Sequence, residues 1–415
     1  MPLMLSASFA CQASDYYVDP VFGVSERFNT NINMLENPPQ DNWITTISPG
    51  INFGLRTENE ILSSNFTWNH LAYTNQSELD IDETLLSVNY QHNKTERFQW
   101  GLTGSYNNRS SLNSQDTGTI IGDVRGIRLT QVLTEQISVS PTLSYNLDEL
   151  NTIDLNYAYN QTTFDKSQTS QNIFQADYDY HQVSGSLTHL YSERDQLIAT
   201  LSGSRYKTPL QDQTTYNYVA ELGWQHRFSD QLVAYLSGGL NYSDIESSIP
   251  LPPDATIGGD PVWFDPVTKT FSRQQRILVE KNSGIGEVFS VSLQKSFDGG
   301  STVSLGVSQS QAPTSQGLQT RTNYFFDAAY PINERLTSGF TSNYSTSEST
   351  GEQNSNLNRN NFSFSPALNW KWSPEVSLGL SYSFRQQEFE GGQPSEGNLV
   401  EFQFSYRPQL NNLVK

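Results

Sequence analysis

The chain has 415 residues, a formal net charge of −19, 35% hydrophobic residues and 12% aromatic residues, with 21 Tyr and 22 Phe. An acidic chain argues against nucleic acid as a partner, because phosphate binding needs a basic surface. The single cysteine, Cys11, excludes an internal disulfide and a cysteine-based zinc or redox motif. No run of about 18 apolar residues occurs, so no transmembrane helix is expected.

In chain order, residues 1–13 read as the apolar and cleavage regions of a secretory leader, with cleavage expected after Ala13 and lipidation of Cys11 as the alternative. From residue 14 onward one pattern dominates. Apolar and polar residues alternate with period two, as in Ile137, Val139, Leu143, Tyr145 and Leu147 against Ser138, Ser140, Thr142, Ser144 and Asn146. Side chains of a strand alternate faces, so each such strand has one apolar and one polar side. Short polar knots predict tight hairpin turns at Thr57–Glu60, Asn93–Glu96, Asp148–Asn151, Ser192–Asp195, Ser229–Gln231, Asp298–Ser301, Ile332–Arg335 and Ser373–Glu375. Between them lie longer segments, at Met34–Asn42, Gln76–Asp82, Asn108–Glu135, Asp165–Gln171, Lys207–Thr215, Asp244–Asn282, Ala312–Gly317, Ser347–Asn360 and Glu388–Gly397. Tight turns alternating with long loops are the asymmetry of bacterial outer-membrane barrels. The expectation is one closed antiparallel transmembrane β-barrel over residues 14–415, of about 18 strands and within the range of about 16–20. The apolar faces would then point out to lipid. A soluble sandwich or propeller is the competing architecture.

Three strands share a Ser-Pro step at Pro49, Pro141 and Pro366. Proline cannot donate to a ladder, so a bulge or local break is predicted at each. The longest interruption, Asp244–Asn282, contains Pro250, Pro252, Pro253, Pro261 and Pro266. It is read as a large loop whose Trp263, Phe264 and Asp265 are candidates for a lumen constriction or a partner-docking site.

The polar faces supply the candidate lumen lining: Gln99, Thr103, Ser105, Asp154, Thr200, Ser202, Glu221, Arg227, Ser290, Ser292, Gln294, Asp327 and Lys371. On this reading charge is sparse in the lumen, and hydroxyls and amides favour neutral, sugar-like solutes over selected ions. Phe402, Phe404 and Tyr406 on the last strand are similar to the C-terminal aromatic signal that barrel assembly machinery reads. Catalytic motifs are absent: the five histidines do not cluster, no Gly-x-Ser-x-Gly elbow occurs, and Glu78–Glu83 lacks calcium-loop spacing. Neither a metal nor a cofactor is expected, and an enzyme is not.

The segments VDPVFGVSERFNTNI (Val18–Ile32) and WITTISPGINF (Trp43–Phe53), with the later hairpin LSYNLDELN (Leu143–Asn151), resemble the putative beta-barrel porin 2 family and related outer-membrane proteins near exopolysaccharide export loci. The resemblance implies a barrel in a bacterial outer membrane, in contact with lipid and lipopolysaccharide. It also implies a role in passing a surface polysaccharide with periplasmic export components. A barrel that scaffolds a surface assembly, with a non-conducting lumen, is the alternative. The resemblance carries over no catalytic residue.

Overall fold

Several of the predicted turns carry a side chain that satisfies the turn's own backbone. Asp148 accepts from the backbone N–H of Leu150 and Asn151, Asn333 from Arg335 and Leu336, and Ser373 from Glu375 and Val376. Such Asx and Ser turns fix a reversal at low cost. In the computed structural model all eight turns join antiparallel strands. The structure describes residues 15–34, 39–112, 131–165, 177–208, 213–250, 262–265, 270–273, 277–314, 317–349 and 358–408. The expected leader, residues 1–13, lies outside them.

The strands are β1 (Asp15–Asn29), β2 (Asn42–Arg56), β3 (Glu60–Tyr73), β4 (Ile81–Asn93), β5 (Phe98–Ser110), β6 (Leu133–Asn146), β7 (Asn151–Phe164), β8 (Tyr178–Leu190), β9 (Asp195–Thr208), β10 (Gln213–Ser229), β11 (Leu232–Pro250), β12 (Val262–Asp265), β13 (Thr270–Arg273), β14 (Ile277–Ser296), β15 (Thr302–Thr314), β16 (Gly317–Pro331), β17 (Leu336–Ser349), β18 (Arg359–Lys371), β19 (Val376–Phe389) and β20 (Ser395–Tyr406). All except β12 and β13 form one sheet of 18 strands. β1 pairs with β20 from Phe22↔Tyr406 to Asn29↔Leu399, so the sheet closes on itself and no edge runs its full length.

Closure settles the faces. Residues on the outer parity of neighbouring strands include Val183, Leu201, Leu222 and Ile285, with exposures of 58%, 68%, 72% and 77%. Water-soluble monomers rarely leave so many large apolar side chains on one continuous surface. On β10 the outer belt runs from Tyr218 to Phe228, both exposed. Ten residue steps are about 33 Å along the strand and about 25 Å along the axis at a tilt of roughly 40°, the height of a membrane-barrel apolar band. Aromatics at its margins carry polar partners: Trp224 Nε1 donates to Asp195 Oδ1 at 3.0 Å, and Tyr90 Oη donates to Glu60 Oε1 at 3.2 Å. Trp370 and Trp372 stack at 5.3 Å near the same end. This is the interfacial placement of amphipathic rings.

The three Ser-Pro steps break their ladders without shifting register. β2–β3 pairing lapses between Ile47↔His70 and Gly50↔Thr67. β6–β7 lapses between Val139↔Tyr159 and Thr142↔Asn156, and β18–β19 between Phe364↔Phe384 and Ala367↔Ser381. The predicted break is present and the alternative bulge is not. At Pro141 the neighbouring Ser140 Oγ donates to the Tyr157 carbonyl at 3.2 Å, supplying a donor where proline has none. A register shift does occur between Arg227 and Ser229.

The expected loops are shorter than the sequence suggested, because polar strand ends continue the ladder. β11 and β14 stay paired as far as Pro250↔Ile277, so strand covers both ends of the segment read as the Asp244–Asn282 loop. Within it β12 and β13 form a small separate hairpin, Val262↔Arg273 to Asp265↔Thr270. Trp263, Phe264 and Asp265 belong to β12; their side chains lie outside the described residues.

Candidate functional site: the inner wall and its extracellular mouth

Eighteen strands about 4.8 Å apart, tilted by roughly 40°, enclose a barrel about 36 Å across between backbones. Wall side chains alone do not fill that width, and barrels of this size leave an aqueous lumen. Register places Gln99, Thr103, Ser105, Asp154, Thr200, Ser202, Glu221, Arg227, Ser290, Ser292, Gln294, Asp327 and Lys371 on the inner parity, opposite the apolar belt. They do not converge on one point, and most sit in the middle and periplasmic parts of the wall. Inner polar groups also bond to one another. Asn65 Nδ2 donates to Asn52 Oδ1 at 2.6 Å, and Ser365 Oγ to Ser383 Oγ at 2.9 Å.

Two features escaped the sequence reading. The first is charge. Arg27, Arg109, Arg321, Arg359 and Arg385 all carry the inner parity and all lie in the extracellular part of their strands. The expectation of a lumen with sparse charge is corrected by them. Arg109 and Arg359 lay within segments read as loops, although strand pairing reaches both. Arg27 and Arg385 follow the alternation set by outer-facing Phe28 and Phe384 and could have been placed from sequence. Two glutamates share this region. Glu83 is fully buried, accepts from the Ser110 backbone N–H at 2.9 Å and lies 3.9 Å from Arg109 Nε. Glu401 is the cross-strand partner of Arg27. Arg27, Arg109, Glu401, Thr46 and Asn69 line one recess of about 400 Å³ in the wall. Arg27 Nη2 there donates to Thr46 Oγ1 at 3.4 Å.

The second feature is the constriction. The ladder between β14 and β15 stops at Phe289↔Gln309, while β15 stays paired with β16 up to Thr314↔Gly317. Above that point β15 parts from β14 and the β15–β16 hairpin leans inward, with β16 still paired to β17 as far as Gln319↔Ser349. Gln311 belongs to the outer face of β15 by register, yet its Oε1 accepts from Ser243 Oγ at 2.9 Å on the inner face of β11. Ser243 Oγ also lies 3.1 Å from Asn217 Oδ1 on β10, and Ser243 is 1% exposed. At the point of departure Gln309 Nε2 donates to the Glu287 carbonyl at 2.8 Å. β16 comes within 8 Å, Cα to Cα, of β9, a strand five places away around the barrel. Tyr178 and Tyr180 of β8 and Tyr206 of β9 form a buried inner cluster, and Gln319 of the hairpin is itself buried. The hairpin covers the inner faces of β10, β11 and β14. The mouth that remains is walled by β16 to β20 and β1 to β9, and all five arginines lie on that arc.

This architecture matches solved outer-membrane proteins. The open form of the ferric-catecholate import receptor Fiu of E. coli K12 superposes with a TM-score of 0.50, at 7% identity, over 94% of this chain and 82% of that one. The fold is that of an outer-membrane β-barrel. Weaker similarity extends to the outer membrane channel DcaP of Acinetobacter baumannii (TM-score 0.47, 12% identity, 95% and 98% of the two chains). It extends also to the outer membrane protein OpdK of Pseudomonas aeruginosa (TM-score 0.44, 8% identity, 94% and 98%). No family model and no curated protein matches the chain. Barrel shape and lipid-facing belt together locate the protein in a bacterial outer membrane. Among the described residues no group of three His, Cys, Asp or Glu could hold a metal ion.

Proposed function

We propose that this barrel is a passive channel for hydrophilic solutes across the outer membrane. One observation carries the reading: an 18-stranded wall, too wide for its side chains to fill, with hydroxyls, amides and arginines inside and an apolar belt outside. The inner wall hydrogen-bonds hydroxylated cargo and leaves the belt to lipid and lipopolysaccharide. Phe402, Phe404 and Tyr406 lie on the outer face of β20, the strand that closes onto β1, where assembly machinery would read them. A surface polysaccharide is the cargo implied by the resemblance at Val18–Ile32. An acidic polysaccharide suits the arginine-lined mouth better than a neutral one, and periplasmic export components would then be partners. Liposome swelling tests the channel reading. Proteoliposomes holding folded barrel should swell in small sugars faster than empty liposomes, and equal rates refute it.

A second reading, a scaffold barrel with a closed lumen, is favoured by the inward β15–β16 hairpin. If this hairpin and the loops seal the mouth, swelling stays at the background rate until the hairpin is shortened.

A further inference from the structure

Three cations gather at the periplasmic end of the inner wall. Arg335 closes the β16–β17 turn, Lys371 ends β18 and Arg407 follows β20. Main-chain bonds carry the ladders one step past the strand ends to reach them. The Lys371 N–H donates to the Arg335 carbonyl at 2.7 Å, and the Arg407 N–H to the Glu375 carbonyl at 2.7 Å. Each cation is thus one residue beyond an outer-facing position, at Leu336, Trp370 and Tyr406, and carries the inner parity. They span β17 to β20, three strand spacings or about 14 Å of wall.

All three line one recess of about 750 Å³, together with Ser373, Glu375 and Ser377. All three are exposed, and among the described residues no side-chain hydrogen bond or ion pair engages them. The mouth arginines differ: Arg27 and Arg321 already bond Thr46 and Ser345, and Arg359 is buried. Ser373 Oγ accepts the N–H groups of Glu375 and Val376 at 3.3 and 3.1 Å, which leaves its own O–H to donate. Of the two carboxylates in the recess, Glu375 already has a partner, leaving Glu334 against three cations. The recess is therefore locally basic in a chain of net charge −19. Arg407 also lines the wall recess of about 400 Å³, beside Ser405, Gln403 and Ser25. The basic site stands where that polar track reaches the periplasmic end. Guanidinium forks hold a carboxylate or phosphate in bidentate fashion, an ammonium adds point charge, and hydroxyls donate to the remaining oxygens.

We infer that the Arg335–Lys371–Arg407 recess is an oxyanion-binding site at the periplasmic mouth, taking small solutes that carry a carboxylate or phosphate group. The inference deepens the channel reading and rests on it for passage, but not for binding. The test uses the folded full-length barrel in detergent, with glucuronate as the probe in titration calorimetry. Glucuronate should bind where glucose at the same concentration does not, and inorganic phosphate should displace it. Lys371→Gln with Arg407→Gln should weaken glucuronate about tenfold or more. Both side chains are exposed, and an unchanged heat-modifiable gel shift confirms that the double variant is folded. Arg407→Lys should fall between, since it keeps charge and loses the fork. Arg194→Gln removes an equally exposed cation on the β8–β9 turn, outside the recess, and should leave binding unchanged. Absence of glucuronate binding to the wild type overturns the inference. So does binding that the double variant leaves intact or that Arg194→Gln weakens as much. Absence of any current in planar bilayers, with glucuronate binding still lost in the double variant, refutes the channel reading and leaves the site standing.

Discussion

Replacing residues 311–320 by a two-residue Asn-Gly turn should widen the mouth by an amount the topology fixes. The excised stretch is the tip of the hairpin above the point where β15 parts from β14; only its Gln319 and Thr320 pair with β17, and it carries Gln311, the residue bonded to Ser243. Ser310 and Arg321 are cross-strand partners, so a type I′ Asn-Gly turn can join them without changing register. With the hairpin tucked in, β16 meets β9 and the mouth is bounded by 14 of the 18 strands, since β10, β11, β14 and β15 are cut off. Area scales as the square of perimeter, so restoring the full circumference enlarges the opening about 1.6-fold, using strands of equal spacing. Where the mouth limits current, single-channel conductance rises by the same factor. The control is Ser243→Ala alone, which leaves buried Asn217 and half-buried Gln311 without that hydroxyl. It should cost about 1–3 kcal/mol of the tucked arrangement and appear as more frequent large-conductance events. Unchanged or reduced conductance in a shortened barrel that still migrates as folded would refute the claim that the hairpin constricts the mouth.

Three further outcomes follow from the same geometry. Leu222→Arg, at a 72% exposed outer position near mid-belt, should destabilise the barrel in a bilayer by about 2–4 kcal/mol in urea titrations, whereas an aqueous surface would accept it nearly neutrally. Glu83→Ala removes the acceptor of the Ser110 N–H and the carboxylate near Arg109; a loss of about 2 kcal/mol is expected, read as a lower temperature of the heat-modifiable gel shift, with Glu83→Gln milder because it keeps an acceptor. Asp148 is held below the usual carboxylate range, first by the Asn151 side chain and then by the Leu150 N–H. A depressed folded pKa gives stability that is present above the unfolded carboxylate value and is lost as pH falls through the folded one. Wild type and Asp148→Ala should therefore differ in urea midpoint at neutral pH and converge in acid, and a gap that persists in acid would assign the difference to something other than this carboxylate.

The barrel was legible in the sequence because two local rules held almost everywhere. Period-two alternation sets the faces, and Asp148, Ser192, Asn333 and Ser373 mark the turns through side chains that bond their own backbone. Strand ends were less legible. Near the mouth the outer face turns polar, as at Thr320, Thr322 and Thr346, so the alternation fades while pairing continues. Arg109 and Arg359 were lost to loops for that reason. Arg321 was obscured by Phe325, an apolar residue on the inner parity beside outer-facing Tyr324 and Phe326. The inward fold of β15–β16 had no sequence signal at all. It depends on Gln311 meeting Ser243 across 68 residues of chain, and glutamine and serine are too common here to suggest a pair. Gly286 is a partial clue in retrospect. A Cβ there would lie 2.5 Å from Asn241 Oδ1, so a glycine lets the inner amide layer of β11 pack flat under the hairpin.

Planar-bilayer recording of the purified, folded wild-type barrel tests the central claim most directly. An aqueous lumen predicts discrete, ohmic current steps in potassium chloride, each from one inserted barrel. A folded protein that inserts without producing steps, both intact and with residues 311–320 replaced, would contradict it.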